Sequence, residues 1–207
     1  MTTFFLTQPV SRIAGEVPGA AQIFRASGLK LAYLGNLALN EASIAAGIPP
    51  RRMSTCIASA ARSTVLSAPR SYRELPSYII SRYHQPHRVE ISWLLAAIAA
   101  AKKLGYVPFA LVEVICELAS SMLTHMDTEE TQVFQQLAND PTQNTRRRVE
   151  DHDQLVAKLI DWQMRVDEIL DDRIVNKGDT TLLAERLQTL LDEIVVHLHL
   201  EATFLYT

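Results

Sequence analysis

From residue 76 onward, apolar and polar positions alternate with a helical period over four long stretches. The first runs from about Pro76 to Leu104 and stops at Gly105-Tyr106-Val107-Pro108. The second runs from about Pro108 to Ala138 and ends at Asn139-Asp140-Pro141. The third covers about Thr145–Val175 and ends at Asn176-Lys177-Gly178-Asp179, and the fourth runs from about Thr180 to the C-terminus. Amphipathic helices joined by short turns hide their apolar stripes against one another. The pattern over 72–207 therefore predicts an all-α fold, an up-and-down four-helix bundle. Residues 1–66 have a different texture. Short helical patterns at about 19–26, 38–46 and 50–65 are punctuated by Pro18, Gly28, Gly35, Gly47, Pro49 and Pro50, which predicts a small helical domain. Ser67-Ala68-Pro69-Arg70-Ser71 reads as the linker between the two. Ser71 with Glu74 has the spacing of a capping box, and Pro76 suits a first helical turn.

Polar residues interrupt the apolar stripes at specific places. His125 and Glu129 are four residues apart, as are His197 and Glu201, and residues four apart lie on one helix face. The stripe through His125 contains Leu111, Ile115, Leu118 and Met122 behind it and Val133 and Leu137 ahead. The stripe through His197 contains Leu183, Leu187, Leu190 and Ile194, then Phe204 beyond Glu201. His84 falls in line with Ile80, Ile91, Leu94 and Ile98, and His152 with Val149, Leu155, Leu159 and Val166. An isolated carboxylate on a core face costs several kcal/mol, roughly 2–7 for a polar group and more for a charge, so it must be neutral, paired or metal-bound. Four imidazoles and two carboxylates, one histidine per long helix, suit a pair of iron or manganese ions, with iron ahead of manganese. A single zinc needs only four ligands. His87 is read as a supporting or entrance residue and His199 as solvated or supporting. Glu130 and Arg146-Arg147-Arg148 read as solvated, and Tyr83, Trp93 and Tyr106 as packing residues.

Composition narrows the field. The 207 residues are 48% hydrophobic with a net charge of −3, so no basic field exists to hold nucleic acid or an anionic membrane surface. The apolar run Ile91–Ala101 is too short to span a bilayer and ends at Lys102-Lys103. The segment MTTFFLTQPV has no basic n-region or cleavage site, and a cytoplasmic location is expected. Cys56 and Cys116 each sit in an apolar helical pattern and are expected to be buried, reduced thiols.

Several segments together resemble the Repair of Iron Centres family of di-iron proteins, which have a small N-terminal domain followed by a hemerythrin-like bundle. In the first domain these are Gln8-Pro9, Val17-Pro18-Gly19-Ala20 and Ile23-Phe24-Arg25. In the bundle they are Ile79 to His84, Leu123 to Glu130, Glu150 to Asp153 and His197 to Glu201. The resemblance implies that His84, His125, His152 and His197 are terminal ligands of a non-haem di-iron centre and that Glu129 and Glu201 bridge the ions. It also implies repair of iron–sulfur clusters damaged by oxidative or nitrosative stress, with the damaged proteins as clients and a small ligand such as nitric oxide or oxygen. Two rival readings are a hemerythrin-like oxygen or nitric-oxide carrier or sensor, and a metal-poor paralogue that pairs with a complete family member. The apolar Leu29, Leu31, Leu34, Leu37 and Leu39 lead us to expect a homodimer or such a heterodimer. Where the family carries adjacent cysteines and paired glycines, this chain reads Leu31-Ala32-Tyr33-Leu34-Gly35. Where the family has a fifth ligand histidine, it reads Lys103 to Pro108. One ion is thus expected to be under-coordinated, with water filling the place in preference to His87 or Tyr106, the nearby side chains able to substitute.

Overall fold

The computed structural model describes residues 2–63, 74–104, 107–139, 146–171 and 179–205. Among these, every regular element is helical, and one isolated antiparallel bridge pairs Pro9 with Ala38. The expected linker at 67–71, the Ser71 capping box and most of the turn residues at 105–106, 140–141 and 176–178 lie outside the described residues. The chain divides into two compact units, residues 71–191 and residues 1–70 together with 192–207.

The first unit begins with six short helices: α1 (Thr2–Phe5), α2 (Val10–Glu16), α3 (Ala20–Ala26), α4 (Leu31–Leu34), α5 (Leu39–Ala45) and α6 (Pro50–Ser63). α3, α5 and α6 coincide with the three patterns expected from sequence. α1 and α4 have four residues each, too short to show a periodic stripe, and α2 carries Gly15 inside its seven residues. α6 packs against α1, α3 and α5, and α4 against α2 and α3. Gly28 ends α3 in the left-handed region, at φ 77°, and the Leu29 N–H bonds back to the Phe24 carbonyl at 2.9 Å. This is the Schellman arrangement, with Phe24 and Leu29 both buried beside it.

The C-terminal part of the last helix, α12 (Asp179–Phe204), belongs to this unit from Asp192 on. Val196, Leu198 and Leu200 are buried as well as His197 and Glu201, so this stretch is enclosed on more than one face. Gly35 lets the chain approach it closely. A Cβ there would meet the Leu31 carbonyl at 2.6 Å and the Val195 side chain at 3.3 Å. The Gly35 carbonyl also accepts the Ser11 N–H at 2.9 Å and the Ser11 hydroxyl at 2.8 Å. Arg25 Nε donates to Asp192 Oδ2 at 2.7 Å. Burial nevertheless pushes the Asp192 carboxyl up to about 6, against the opposing pull of Arg25 and of the Leu31 N–H. Leu29, Leu31 and Leu39 are buried within this unit, Leu34 is half-buried and Leu37 is exposed.

The second unit holds the long helices. A continuous helical run comprises α7 (Leu75–Ile79), a π turn (Ile80–His84) and α8 (Gln85–Leu104). The next run comprises α9 (Phe109–Thr128), a second π turn (Glu129–Val133) and α10 (Phe134–Asn139). α11 (Arg146–Asp171) and the first half of α12 complete it. α9 packs against α8 and α11 along Leu111, Val114, Ile115, Leu118, Met122 and Met126. Arg186 on α12 grips Glu90 on α8 with two hydrogen bonds, 2.6 and 2.5 Å, while its guanidinium lies 3.8 Å over the Trp93 ring. Trp162 on α11 donates its indole N–H to Glu117 on α9 at 3.2 Å. The run Phe109–Asn139 is long and apolar enough to cross a membrane by length and composition alone. Its apolar stripe is the one applied to α8 and α11.

Two expectations are corrected. Cys56 and Cys116 are free but exposed. Each neighbours a buried isoleucine, Ile57 and Ile115, so counting cysteine as apolar placed it on the wrong face. In the first long helix the buried residue behind His84 is Ile79 rather than Ile80, because the π turn inserts one residue into the stripe.

Candidate metal centre

His84 stands at the end of the first π turn. Pro86, two residues on, brings no N–H to the helical ladder, and just before it the Gln85 N–H reaches back five residues to the Ile80 carbonyl. The wider turn presents two consecutive side chains inward, so Tyr83 and His84 are both buried. The second π turn begins at Glu129, whose carbonyl accepts the Phe134 N–H. Two of the six candidate donors thus adjoin a π turn, a local geometry frequent at functional sites.

Within the unit formed by residues 71–191, His84 Nε2 lies 3.3 Å from Glu129 Oε2, and His125 Nε2 lies 3.5 Å from the same oxygen. The rings of His125 and His152 are 5.3 Å apart, edge to face. The Phe134 ring stacks on His84 with centroids 5.8 Å apart. On the last helix, His197 Nε2 is 2.6 Å from Glu201 Oε1, one turn along, with both side chains fully buried. Donor atoms of His84, Glu129, His197 and Glu201 all lie within 4.8 Å of one another, and so do those of His125, Glu129, His152 and Glu201.

Two groups of four donors share both glutamates, and each group adds two histidines of its own. Imidazole nitrogen with carboxylate oxygen suits first-row divalent ions, and two shared carboxylates suit a closely spaced pair of them. Glu129 and Glu201 are almost wholly withdrawn from water, where an uncompensated carboxylate is strongly disfavoured. A bound cation compensates both charges at once, so the residues fit the group.

Residues 75–207 match the hemerythrin HHE cation-binding domain. The chain belongs to the hemerythrin HHE family. No curated protein matches the chain. The family's cation-binding role agrees with the donor groups above, and its helical bundle agrees with the absence of strands among the described residues.

The remaining histidines sit apart from the two donor groups. His87 is buried, with its ring 6.0 Å from that of Tyr83, and belongs to neither. His199 is half-buried in the first unit rather than solvated. Burial first, and then the positive charge of Arg12, hold its imidazolium form down, with Glu16 opposing. Tyr106 and the side chains of Lys103 to Gly105 and of Arg146 to Arg148 lie outside the described residues. Trp93 packs under Arg186.

Sequence reading missed Glu130. Its carboxylate lies 2.8 Å from His84 Nδ1 and 3.0 Å from Arg88 Nη2, and the same Arg88 nitrogen lies 2.8 Å from Asp127. Burial opposes ionisation of Glu130, but the bonds from His84 and Arg88 outweigh it and hold the carboxyl below its ordinary value. The signal was present in the doublet Glu129-Glu130. Straight α-helical geometry turns the second residue away from the first, and the π turn undoes that inference.

Proposed function

We propose that this chain is a non-haem di-iron protein serving the repair of iron–sulfur clusters damaged by oxidative or nitrosative stress. His84 and His197 would hold one ion and His125 and His152 the other, with Glu129 and Glu201 shared between them. The observation that carries the reading is the pair of four-donor groups meeting at two buried carboxylates. The small helical unit preceding the bundle adds support, since it is the arrangement of the Repair of Iron Centres family.

When bound, the ion pair supplies redox chemistry and a place for a small ligand. The protein's own contribution is positional. Glu129 and Glu201 would each serve both ions, Phe134 covers one face of the His84 ring, and buried aliphatic side chains along α9 keep bulk water away. His125 is the most accessible of the six donors, with 13% of its side chain exposed against none for His84. A small molecule such as nitric oxide or oxygen would approach on that side. This asymmetry also favours a second reading, a hemerythrin-like carrier or sensor that binds oxygen or nitric oxide without turnover.

Iron analysis of protein purified without oxygen tests the centre. About two irons per chain are expected, with most lost in Glu129→Ala or Glu201→Ala. Full occupancy in either variant would overturn the ligand assignment, and an iron-free parent would favour a metal-poor paralogue. Recovery of a cluster-damaged iron–sulfur enzyme by the loaded protein supports repair, and reversible ligand binding without recovery supports the carrier. Association is proposed through the apolar residues exposed on the first unit, Phe4, Tyr33, Leu37 and Ile44. Light scattering of Ile44→Asp at the parent's concentration checks it, with a smaller mass expected.

A further inference from the structure

We propose that Glu130 is a positioning residue for His84, accepting the Nδ1–H so that Nε2 is the nitrogen turned toward Glu129 and the ion. This rests on the reading of His84 as a ligand, and it concerns a residue outside both donor groups. A carboxylate without a proton only accepts hydrogen bonds, so at 2.8 Å from Glu130 the Nδ1 of His84 must be the donor. In the neutral ring, the form able to bind an ion, the lone pair is then on Nε2, which lies 3.3 Å from Glu129 Oε2. The carboxylate is kept in its acceptor state from the other side. Arg88 Nη2 lies 3.0 Å from the Glu130 oxygen that faces His84, and Asp127 at 2.8 Å anchors the same guanidinium nitrogen. The chain Asp127–Arg88–Glu130–His84 thus runs from an exposed carboxylate to a fully buried ring. Phe134 fixes the plane of that ring, and Glu130 fixes its rotation and tautomer.

A simpler alternative is that Glu130 only pairs with Arg88, which would make it a surface ion pair of small worth. The two differ in what happens to one ion and not the other. A partner behind a ligand histidine typically changes metal affinity by about 10–100-fold. Glu130→Ala should therefore weaken one of the two ions by about that factor while the other, held by His125 and His152, is released as in the parent. Glu130→Gln should recover most of the loss, because its amide oxygen still accepts the Nδ1–H.

The experiment is a chelator titration of the iron-loaded parent, of both Glu130 variants and of Arg88→Ala. It is paired with nitrogen NMR of histidine-labelled, zinc-loaded protein to read the His84 tautomer directly. Parent protein that binds no metal would remove the underlying reading. A two-ion parent whose release is unchanged in Glu130→Ala would overturn the positioning role and leave the reading standing. So would an unchanged Nδ1–H signal, or a Glu130→Gln variant as impaired as Glu130→Ala.

Discussion

Replacing Asp192 by asparagine separates burial from charge pairing at the point where the last helix meets α3 and α4. Asp192 is almost completely buried, yet Arg25 Nε is only 2.7 Å away. Burial wins over this partner, and the carboxyl is pushed up from 3.8 to about 6. A carboxyl that holds its proton more tightly in the folded chain than in the unfolded one favours folding while protonated. Its contribution is fully present below pH 3.8 and is lost as pH rises through about 6. The gap corresponds to ~3 kcal/mol. Asparagine cannot ionise, so the variant should gain on the parent by about that amount between roughly pH 4 and pH 7, whatever the offset at the acidic end. Urea denaturation of both proteins across that range reads the difference directly, since other groups titrate alike in the two. A constant difference across the range would refute the argument. A parent that gains on the variant as pH rises would show that Arg25 outweighs burial.

Trp162→Phe removes the bond to Glu117 and leaves a smaller ring in the core, and should cost ~1–3 kcal/mol in urea denaturation. Arg186→Met breaks the forked pair with Glu90 and the stacking on Trp93, so thermal unfolding should begin at lower temperature, with the loss shrinking at high salt. Gly35→Ala forces a methyl group against the Leu31 carbonyl and the Val195 side chain, and should destabilise the first unit in hydrogen exchange before the second. Labelling with a thiol reagent should modify Cys56 and Cys116 in the folded protein, as their exposure requires.

The long helices were legible because each carries an uninterrupted apolar stripe of several turns, as from Leu111 to Met126 or Leu183 to Ile194. That the two glutamates and four histidines lie on the inner, largely buried faces was legible for the same reason, since a histidine or glutamate on such a stripe stands out against leucine and isoleucine. Helices of four residues leave no period to read, which hid α1 and α4, and Gly15 inside α2 reads as a break in the pattern. Nor does the periodicity of α12 reveal that its stretch from Asp192 groups with the first unit, because the apolar Val195, Val196 and Leu198 could equally be explained by one broad stripe. Glu130 and Ile80 were misplaced by a single cause. A π turn is invisible to a 3.6-residue period and shifts everything on one side of it by one position.

Those two π turns also give the chain slack. Each is one residue longer than the α-helical path between the same neighbours, so it is the one place in its helix where a residue can be lost without rotating either half. Deleting Ser81 would bring Ile79 and His84 to a spacing of four and leave both stripes facing inward. Deleting a residue near Leu94 would turn one part of α8 by about a quarter of its circumference and bring polar side chains into the core. Length can therefore be trimmed at Ile80–His84 and Glu129–Val133 while the bundle survives, and what such a trimmed chain loses is the inward doubling of Tyr83 with His84 and of Glu129 with Glu130.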